Sequence, residues 1–200
     1  MAITKTDTKE KIVSFATQLI ETKGYNGFSY QDIADELGIK KASIHYHFPS
    51  KEDLGIAVFE AFMKGVHEHI AQIDFESLTA AEKLAGYFQY HAEVTLVKNH
   101  DASDCSHISC IGALTSEWNN LPEKMREQID NFNNWHVGFV ASIISDGVAK
   151  KEFCHVGSVE GQALLIIAAT KGALLLSREK TSIEIYNQIT RQLIEGLKCK

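Results

Sequence analysis

The chain has 200 residues, 44% of them hydrophobic and 23% charged, so it is long enough to bury an ordinary core and is neither disordered nor collagen-like. Its formal net charge of -6 excludes a protein that binds nucleic acid over its whole surface, because such binding depends on lysine and arginine at phosphates. Only two prolines occur and alternating apolar and polar residues are scarce, which favours an all-α fold of about nine helices.

The polar N-terminus lacks the apolar stretch of a secretory signal, so we expect a cytoplasmic protein. The most apolar run, residues 163–176, is interrupted by Lys171 and is shorter than the roughly 20 residues that cross a bilayer, which predicts a buried helix and no membrane partner. A reducing compartment predicts free thiols at the four cysteines, Cys105, Cys110, Cys154 and Cys199.

The first two predicted helices are short and have clear ends. A stripe of apolar residues at helical spacing predicts the first helix, which ends near Gly24. That stripe consists of Ile12, Phe15, Ala16, Leu19 and Ile20. Ser29 with Asp32 has the spacing of a capping box and predicts the start of a second helix, which Gly38 ends.

A third short helix is predicted over residues 40–48, with Ile44 and Phe48 facing inward. Pro49 ends it, because proline disfavours helix in the residue before it. Two short helices around a glycine turn predict a helix-turn-helix, so we expect residues 1–50 to form a DNA-binding domain.

The outer face of the third helix is compact, polar and cationic, which suits the major groove of DNA. It begins with Lys40 and Lys41, and residues 39–51 contain no acid. Lys51 and Ser29 stand at the starts of the two neighbouring helices, where they are placed to contact phosphates. The other outward residues are Ala42, Ser43, His45, Tyr46 and His47. On charge alone, the same pattern is also typical of a solvated helix face.

The segment Phe28–Leu54, FSYQDIADELGIKKASIHYHFPSKEDL, resembles the DNA-binding domain of the TetR family of transcriptional repressors. By position, the resemblance implies two sets of contacts. The residues facing bases are Lys41, Ala42, Ser43 and His45, and those holding phosphates are Ser29, Tyr46, His47 and Lys51. The family often has tyrosine at the position of His45 and a small polar residue at that of Lys40, so the operator sequence stays open.

Residues 51–200 are expected to form a second domain for effector sensing and dimerisation. Ser50 with Asp53 predicts the start of a long fourth helix, and Thr79 with Glu82 the start of a fifth. Further helices are predicted over about 110–118, 122–149, 159–178 and 182–198, the last opened by Thr181 with Glu184.

The last two helices are predicted to pair two subunits, because the first of them is too apolar for a surface helix of a monomer. The resemblance implies a four-helix dimer bundle, so that a homodimer presents two helix-turn-helix units to a palindromic double-stranded DNA operator. The residues of this seam are Leu164, Leu165, Ala168, Ala169, Gly172, Leu175, Leu176, Ile183, Tyr186, Ile189, Leu193 and Leu197. Both helices are alternatively plain monomer core.

Aromatic and polar residues are interleaved in the second domain, where the resemblance implies a small-molecule inducer. The candidate lining is Tyr87, Tyr90, His91, Trp118, Phe132, Trp135, His136 and Phe139. The same stripe is also typical of an ordinary core.

The segment HDASDCSHISC, residues 100–110, supports two further hypotheses. Cys110 at a helix start, with Cys105 nearby, has the setting of a reactive thiol and is similar to a TetR subgroup that senses electrophiles. Thiolates and imidazoles could instead hold zinc, although the spacing is not that of a standard zinc site. The segment is otherwise a polar loop. No paired carboxylates, phosphate loop or nucleophile-base signature occurs, so we expect no cofactor and no enzyme activity; the alternative is a helical-bundle metalloprotein or enzyme that retains a helix-turn-helix.

Overall fold

The computed structural model describes residues 5–73, 76–96, 108–154 and 157–199. Within those ranges it has nine α-helices and no strand beyond one isolated bridge, which confirms the all-α prediction. The helices are α1 Lys5–Lys23, α2 Tyr30–Leu37, α3 Lys41–His47, α4 Lys51–Ala71, α5 Ala80–Thr95, α6 Cys110–Ser116, α7 Glu123–Ala149, α8 Val159–Lys180 and α9 Ile183–Leu197. A short 3-10 helix, Trp118–Asn120, follows α6.

The first of two compact units holds the described residues up to Ile73 together with Ser109–Ile129. The apolar stripe of α1 is buried there as predicted, except that Phe15 stays partly exposed. Helices α4 and α6 pack on α1, so this unit extends beyond the predicted DNA-binding segment of residues 1–50.

Capping boxes begin three of the helices that the structure describes, at Ser29 with Asp32, Ser50 with Asp53 and Thr79 with Glu82. In each box the carboxylate accepts the backbone N–H of the capping residue at 2.8–2.9 Å. These bonds satisfy N–H groups that have no partner within the helix, which is why the three predicted starts are confirmed.

The predicted cap of α9 by Thr181 is wrong. Thr181 has φ 50° and ψ 46°, the left-handed conformation that ends a helix, and its backbone N–H donates to the carbonyl of Arg178. Ser182 precedes α9 without a side-chain cap bond. Thr181 therefore closes α8 and leaves α9 uncapped.

The second compact unit contains the remaining described residues, with a core drawn from α5, α7, α8 and α9. Leu84, Ile144 and Ile166 are almost fully buried in it, and the hydroxyl of Tyr186 donates to the carbonyl of Phe88 at 2.8 Å. Tyr186 and Leu197 are buried within this core, so neither belongs to an exposed pairing seam.

Within the single subunit only one face of α8 is buried, so the alternative that α8 is plain monomer core is not what the structure shows. Four leucines of its other face, Leu164, Leu165, Leu175 and Leu176, are 46–55% exposed. The helix packs on α9 and α5, which together cover only one side of it. Among the described helices α8 alone has the length and apolar composition of a membrane span, a property that half-buried core helices share.

Cys154 and Cys199 form a disulfide, which contradicts the prediction that both are free thiols. Phe153 and Lys198 form an antiparallel bridge, and the backbone N–H of Cys154 donates to the carbonyl of Leu197 at 2.7 Å. This pairing brings the two cysteine Cα atoms to 4.9 Å, within the range that a disulfide spans.

Candidate nucleic-acid interface

The turn between α2 and α3 depends on the backbone of Gly38. This residue has φ 62° and ψ 33°, and its N–H donates to the carbonyl of Ala34. A side chain there would meet nothing within 4 Å, so the left-handed conformation rather than lack of space favours glycine. The chain then turns through Lys40 and begins α3 at Lys41.

Three buried groups fix α3 in place. Ile44 and Phe48 are fully or almost fully buried. The hydroxyl of Tyr30 in α2 lies 2.9 Å from the carbonyl oxygen of Phe48 and 2.5 Å from that of Ser50. Burial raises the pKa of Tyr30 to about 12, so the hydroxyl stays protonated as a donor. The sequence analysis did not predict that Tyr30 holds α3. The only available signal was its position at the start of α2, one residue after the cap Ser29.

The outer face of α3 is exposed as the sequence predicts. Lys40, Lys41, Ala42, His45 and Tyr46 are exposed, with Tyr46 at 65%, whereas Ser43 and His47 are half-buried. Neither Lys40 nor Lys41 forms an ion pair with any residue in the described part of the chain. Their charges are therefore available to an external anion.

His45 has a defined orientation. Its ring packs edge-on against that of Tyr30, with centroids 4.7 Å apart, and its Nδ1 lies 3.4 Å from the carbonyl oxygen of Pro49. A side chain held in this way loses little conformational freedom when it contacts a base. Contact between His45 and a base stays a prediction.

Lys51 is not positioned as a simple phosphate ligand. Its ammonium donates to the carbonyl of Phe28 and lies 4.2 Å and 5.1 Å from the ring centroids of Phe28 and Tyr25. Burial lowers the pKa of Lys51. Lys51 thus joins the start of α4 to the segment before α2, and any phosphate contact adds to that role.

The hydroxyl of Ser29 is also engaged. It accepts the N–H of Gln31 at 3.2 Å and donates to the carboxylate of Asp32 at 2.7 Å. Hydrogen bonds from Ser29 lower the pKa of Asp32, so this carboxylate stays charged at the start of α2. A phosphate contact by Ser29 stays a prediction.

The predicted effector lining gathers in the second unit, except for Trp118, which belongs to the first. Its members contact one another as a chain of rings that runs from α5 to α7. These are Tyr87, Tyr90, His91, Phe132, Trp135, His136 and Phe139. The sequence prediction missed Lys171 of α8, whose charge acts on His91 and His136; a lone lysine in an apolar helix was the available signal.

Of the two cysteines proposed to sense electrophiles, the structure describes only Cys110. Cys105 and most of the segment 100–110 lie outside the described residues. Cys110 is the first residue of α6, outside any disulfide, and is only 2% exposed. Burial of this kind shields a thiol from reagents. The described residues contain no group of histidine, cysteine, aspartate or glutamate arranged to hold a metal ion.

Comparison with known proteins shows similarity along the whole chain. A family model described as bacterial regulatory proteins, tetR family, matches residues 12–58. A TetR transcriptional regulator from Legionella pneumophila is 30% identical, with 99% of this chain and 100% of that chain covered and a TM-score of 0.83. A TetR-family regulator from Agrobacterium tumefaciens is 26% identical over 98% of this chain and 100% of that one, with a TM-score of 0.88. The repressor DhaR of Mycobacterium sp. (strain GP1) is 25% identical over 96% of this chain and 93% of its own length.

Proposed function

The chain belongs to the TetR family and is a DNA-binding transcriptional regulator. We propose that it is a homodimeric repressor in the cytoplasm. In this proposal the dimer binds a palindromic operator, and a small molecule releases it. The observation that carries this proposal is the exposed cationic face of α3, held to its unit by Ile44 and by the hydrogen bonds of Tyr30. Residues at the start of such a helix read base edges when it lies in the major groove.

Binding to the operator tests the first half of the proposal. Titration of DNA fragments from upstream of the gene should give a complex whose affinity falls steeply with salt, because lysines displace counterions from phosphates. The variant Lys40→Ala/Lys41→Ala should lose at least tenfold in affinity and have a smaller salt slope. Wild-type affinity in this variant, or no complex at low salt, would contradict the proposal.

The exposed leucines of α8 support the homodimer. One helix-turn-helix contacts few base pairs, so specific binding needs two copies on half-sites about 34 Å or a multiple of it apart. Leu164, Leu165, Leu175 and Leu176 lie on one helical face, where they form an apolar patch that a second copy would cover.

Charges placed on this face test the dimer. Leu165→Glu/Leu176→Glu should convert the dimer into monomers in sedimentation and weaken operator binding at least tenfold, because the two carboxylates would be buried without partners. Asn131→Asp/Asn134→Asp, on the exposed face of α7, is the matched control and should change neither property. A variant that sediments as the wild type would exclude α8 as the interface.

We infer that the effector is a small molecule rather than an electrophile acting on Cys110, because this thiol is buried. The ring cluster of the second unit is the proposed sensor. Coupling between effector and operator of about 1–3 kcal/mol is typical of allosteric proteins and corresponds to roughly 5- to 150-fold in operator affinity.

A further inference from the structure

A cluster of two buried and two half-buried polar side chains lies in the second unit and is contributed by three helices. It consists of Tyr87 and His91 of α5, His136 of α7 and Lys171 of α8, and is here named the histidine–lysine cluster. The hydroxyl of Tyr87 lies 3.0 Å from Nε2 of His136. The ring centroid of His91 lies 4.5 Å from that of Tyr87 and 5.6 Å from that of His136.

The histidine–lysine cluster contains a positive group but no negative one. Burial, with the positive charge of Lys171, lowers the pKa of His91 to about 3 and that of His136 to about 4, so both imidazoles are neutral near pH 7. Burial also lowers the pKa of Lys171. In the described part of the chain no carboxylate pairs with Lys171.

One nitrogen of the cluster also has no hydrogen-bond partner. His136 is only 5% exposed, and its Nδ1 has no partner within the described residues. The direction of the Tyr87–His136 hydrogen bond depends on the tautomer of the imidazole, and Tyr87 also has a hydrogen bond with Thr170. In the tautomer that carries its proton on Nδ1, Nε2 accepts from the Tyr87 hydroxyl and the Nδ1–H is the group without a partner. In that tautomer the cluster offers an anion two donors, the buried Nδ1–H of His136 and the ammonium of the half-buried Lys171. Burial of an N–H without an acceptor is unfavourable.

Aromatic rings adjoin the histidine–lysine cluster. The ring of Phe132 stacks on His136 with centroids 5.3 Å apart, and Trp135 stacks on Phe139 at 5.6 Å. Trp135 is 36% exposed, so this aromatic surface reaches solvent. Flat aromatic ligands are well matched to such surfaces, because offset stacking adds to the burial of apolar area.

We propose that the histidine–lysine cluster binds an aromatic monocarboxylate, whose carboxylate pairs with the ammonium of Lys171 and accepts the Nδ1–H of His136 while its ring packs beside Phe132. One anion would thus satisfy both unpartnered donors. This inference rests on the proposed function for its consequence, release of the operator, whereas binding of the anion is a property of the second unit itself.

Matched pairs of charged and neutral probes test the proposal on the full-length protein. We expect 2-naphthoate and benzoate to raise the melting temperature and, in a Trp118→Phe background, to quench Trp135 fluorescence, and the corresponding amides to do so at least tenfold more weakly. Lys171→Met should abolish the difference between acid and amide and raise the melting temperature of the free protein, because an apolar chain replaces an unpaired ammonium. Lys180→Met, at the exposed end of the same helix, is the control and should bind the acids as the wild type does.

Each outcome decides the proposal. Equal binding of acid and amide, retention of the difference in Lys171→Met, or no binding of either acid at millimolar concentration would overturn it. If 2-naphthoate binds in a manner that depends on Lys171 but leaves operator affinity unchanged, the anion site stands and the small-molecule release under the proposed function fails. If neutral ligands alone release the operator, the small-molecule release stands and the anion site is overturned.

Discussion

Two tyrosines of the first unit allow folding and DNA contact to be separated with the same substitution. Tyr30→Phe removes a buried hydroxyl that meets two carbonyl oxygens, so the free energy of unfolding should fall by about 1–3 kcal/mol in urea denaturation. Tyr46→Phe, on the exposed face of α3, should leave stability unchanged and lower operator affinity by about 1 kcal/mol, roughly fivefold.

Equal stability of the two tyrosine variants would show that the Tyr30 hydroxyl does not hold α3. Full operator affinity in Tyr46→Phe would remove this hydroxyl from the phosphate contacts that the family resemblance implies. The two measurements are independent, since one follows unfolding and the other binding.

His45 and Lys51 differ in what their loss should change. His45→Ala should alter the preference for one base pair by about 1–3 kcal/mol in a binding-site selection series, because an oriented ring reads an edge. Lys51→Ala should weaken binding to all sequences alike and also lower the melting temperature, because its ammonium holds the Phe28 carbonyl. Should the two variants change selectivity in the same way, the division into base and phosphate contacts is wrong.

At the scale of the helices, the starts of α2, α4 and α5 were predictable because a capping box is local in sequence. The cap of α9 was not, because Thr181 has the residue type of an N-cap but is already used by the backbone that ends α8. The exposure of the α8 leucines agrees with their predicted place on a pairing face, but the sequence left plain monomer core as the alternative, since it shows how apolar a helix is and not which side its neighbours cover.

The hydrogen bonds of the capping box of α4 should be detectable through the pKa of its carboxyl group, Asp53. A hydrogen bond from the Ser50 hydroxyl is the largest cause that lowers the pKa of Asp53, so Ser50→Ala should raise that pKa in an NMR titration. The pKa of Glu82, lowered by its own box at Thr79, should not move and serves as the control.

The sign of the effect on stability follows from linkage. A carboxyl whose pKa is lower in the folded state stabilises the fold above its unfolded pKa, and this contribution is lost as pH falls through the folded pKa. Ser50→Ala should therefore flatten the acid side of the stability profile. An unchanged Asp53 pKa in this variant would show that the backbone N–H alone sets it.

At the scale of the whole molecule, the disulfide could not be predicted from the sequence. Cys154 and Cys199 are separated by 45 residues, and only the bridge between Phe153 and Lys198 reveals that they meet. The histidine–lysine cluster is similar, because its members come from three helices that no local pattern joins. Function was nevertheless predictable, since the helix-turn-helix is a contiguous segment whose caps and turn lie within one stretch of sequence.

The disulfide closes a loop that contains both α8 and α9, so its reduction should destabilise the unit that is proposed to dimerise. Loop-closure entropy for a separation of 45 residues predicts about 4 kcal/mol. Thermal unfolding with excess dithiothreitol should therefore show a melting temperature lower by about 10 °C.

Cysteine variants make this prediction specific to one bond. Cys154→Ser/Cys199→Ser should melt at the reduced temperature and ignore the reductant, whereas Cys110→Ser, which leaves the bond intact, should keep the full response. Leu197 and Phe153 are buried beside the bond, so the end of α9 should stay packed when the bond is cut. Loss of the bond should therefore lower the melting temperature before it weakens dimerisation. A melting temperature that does not depend on reductant in the wild type would mean that the two sulfurs are not joined in solution.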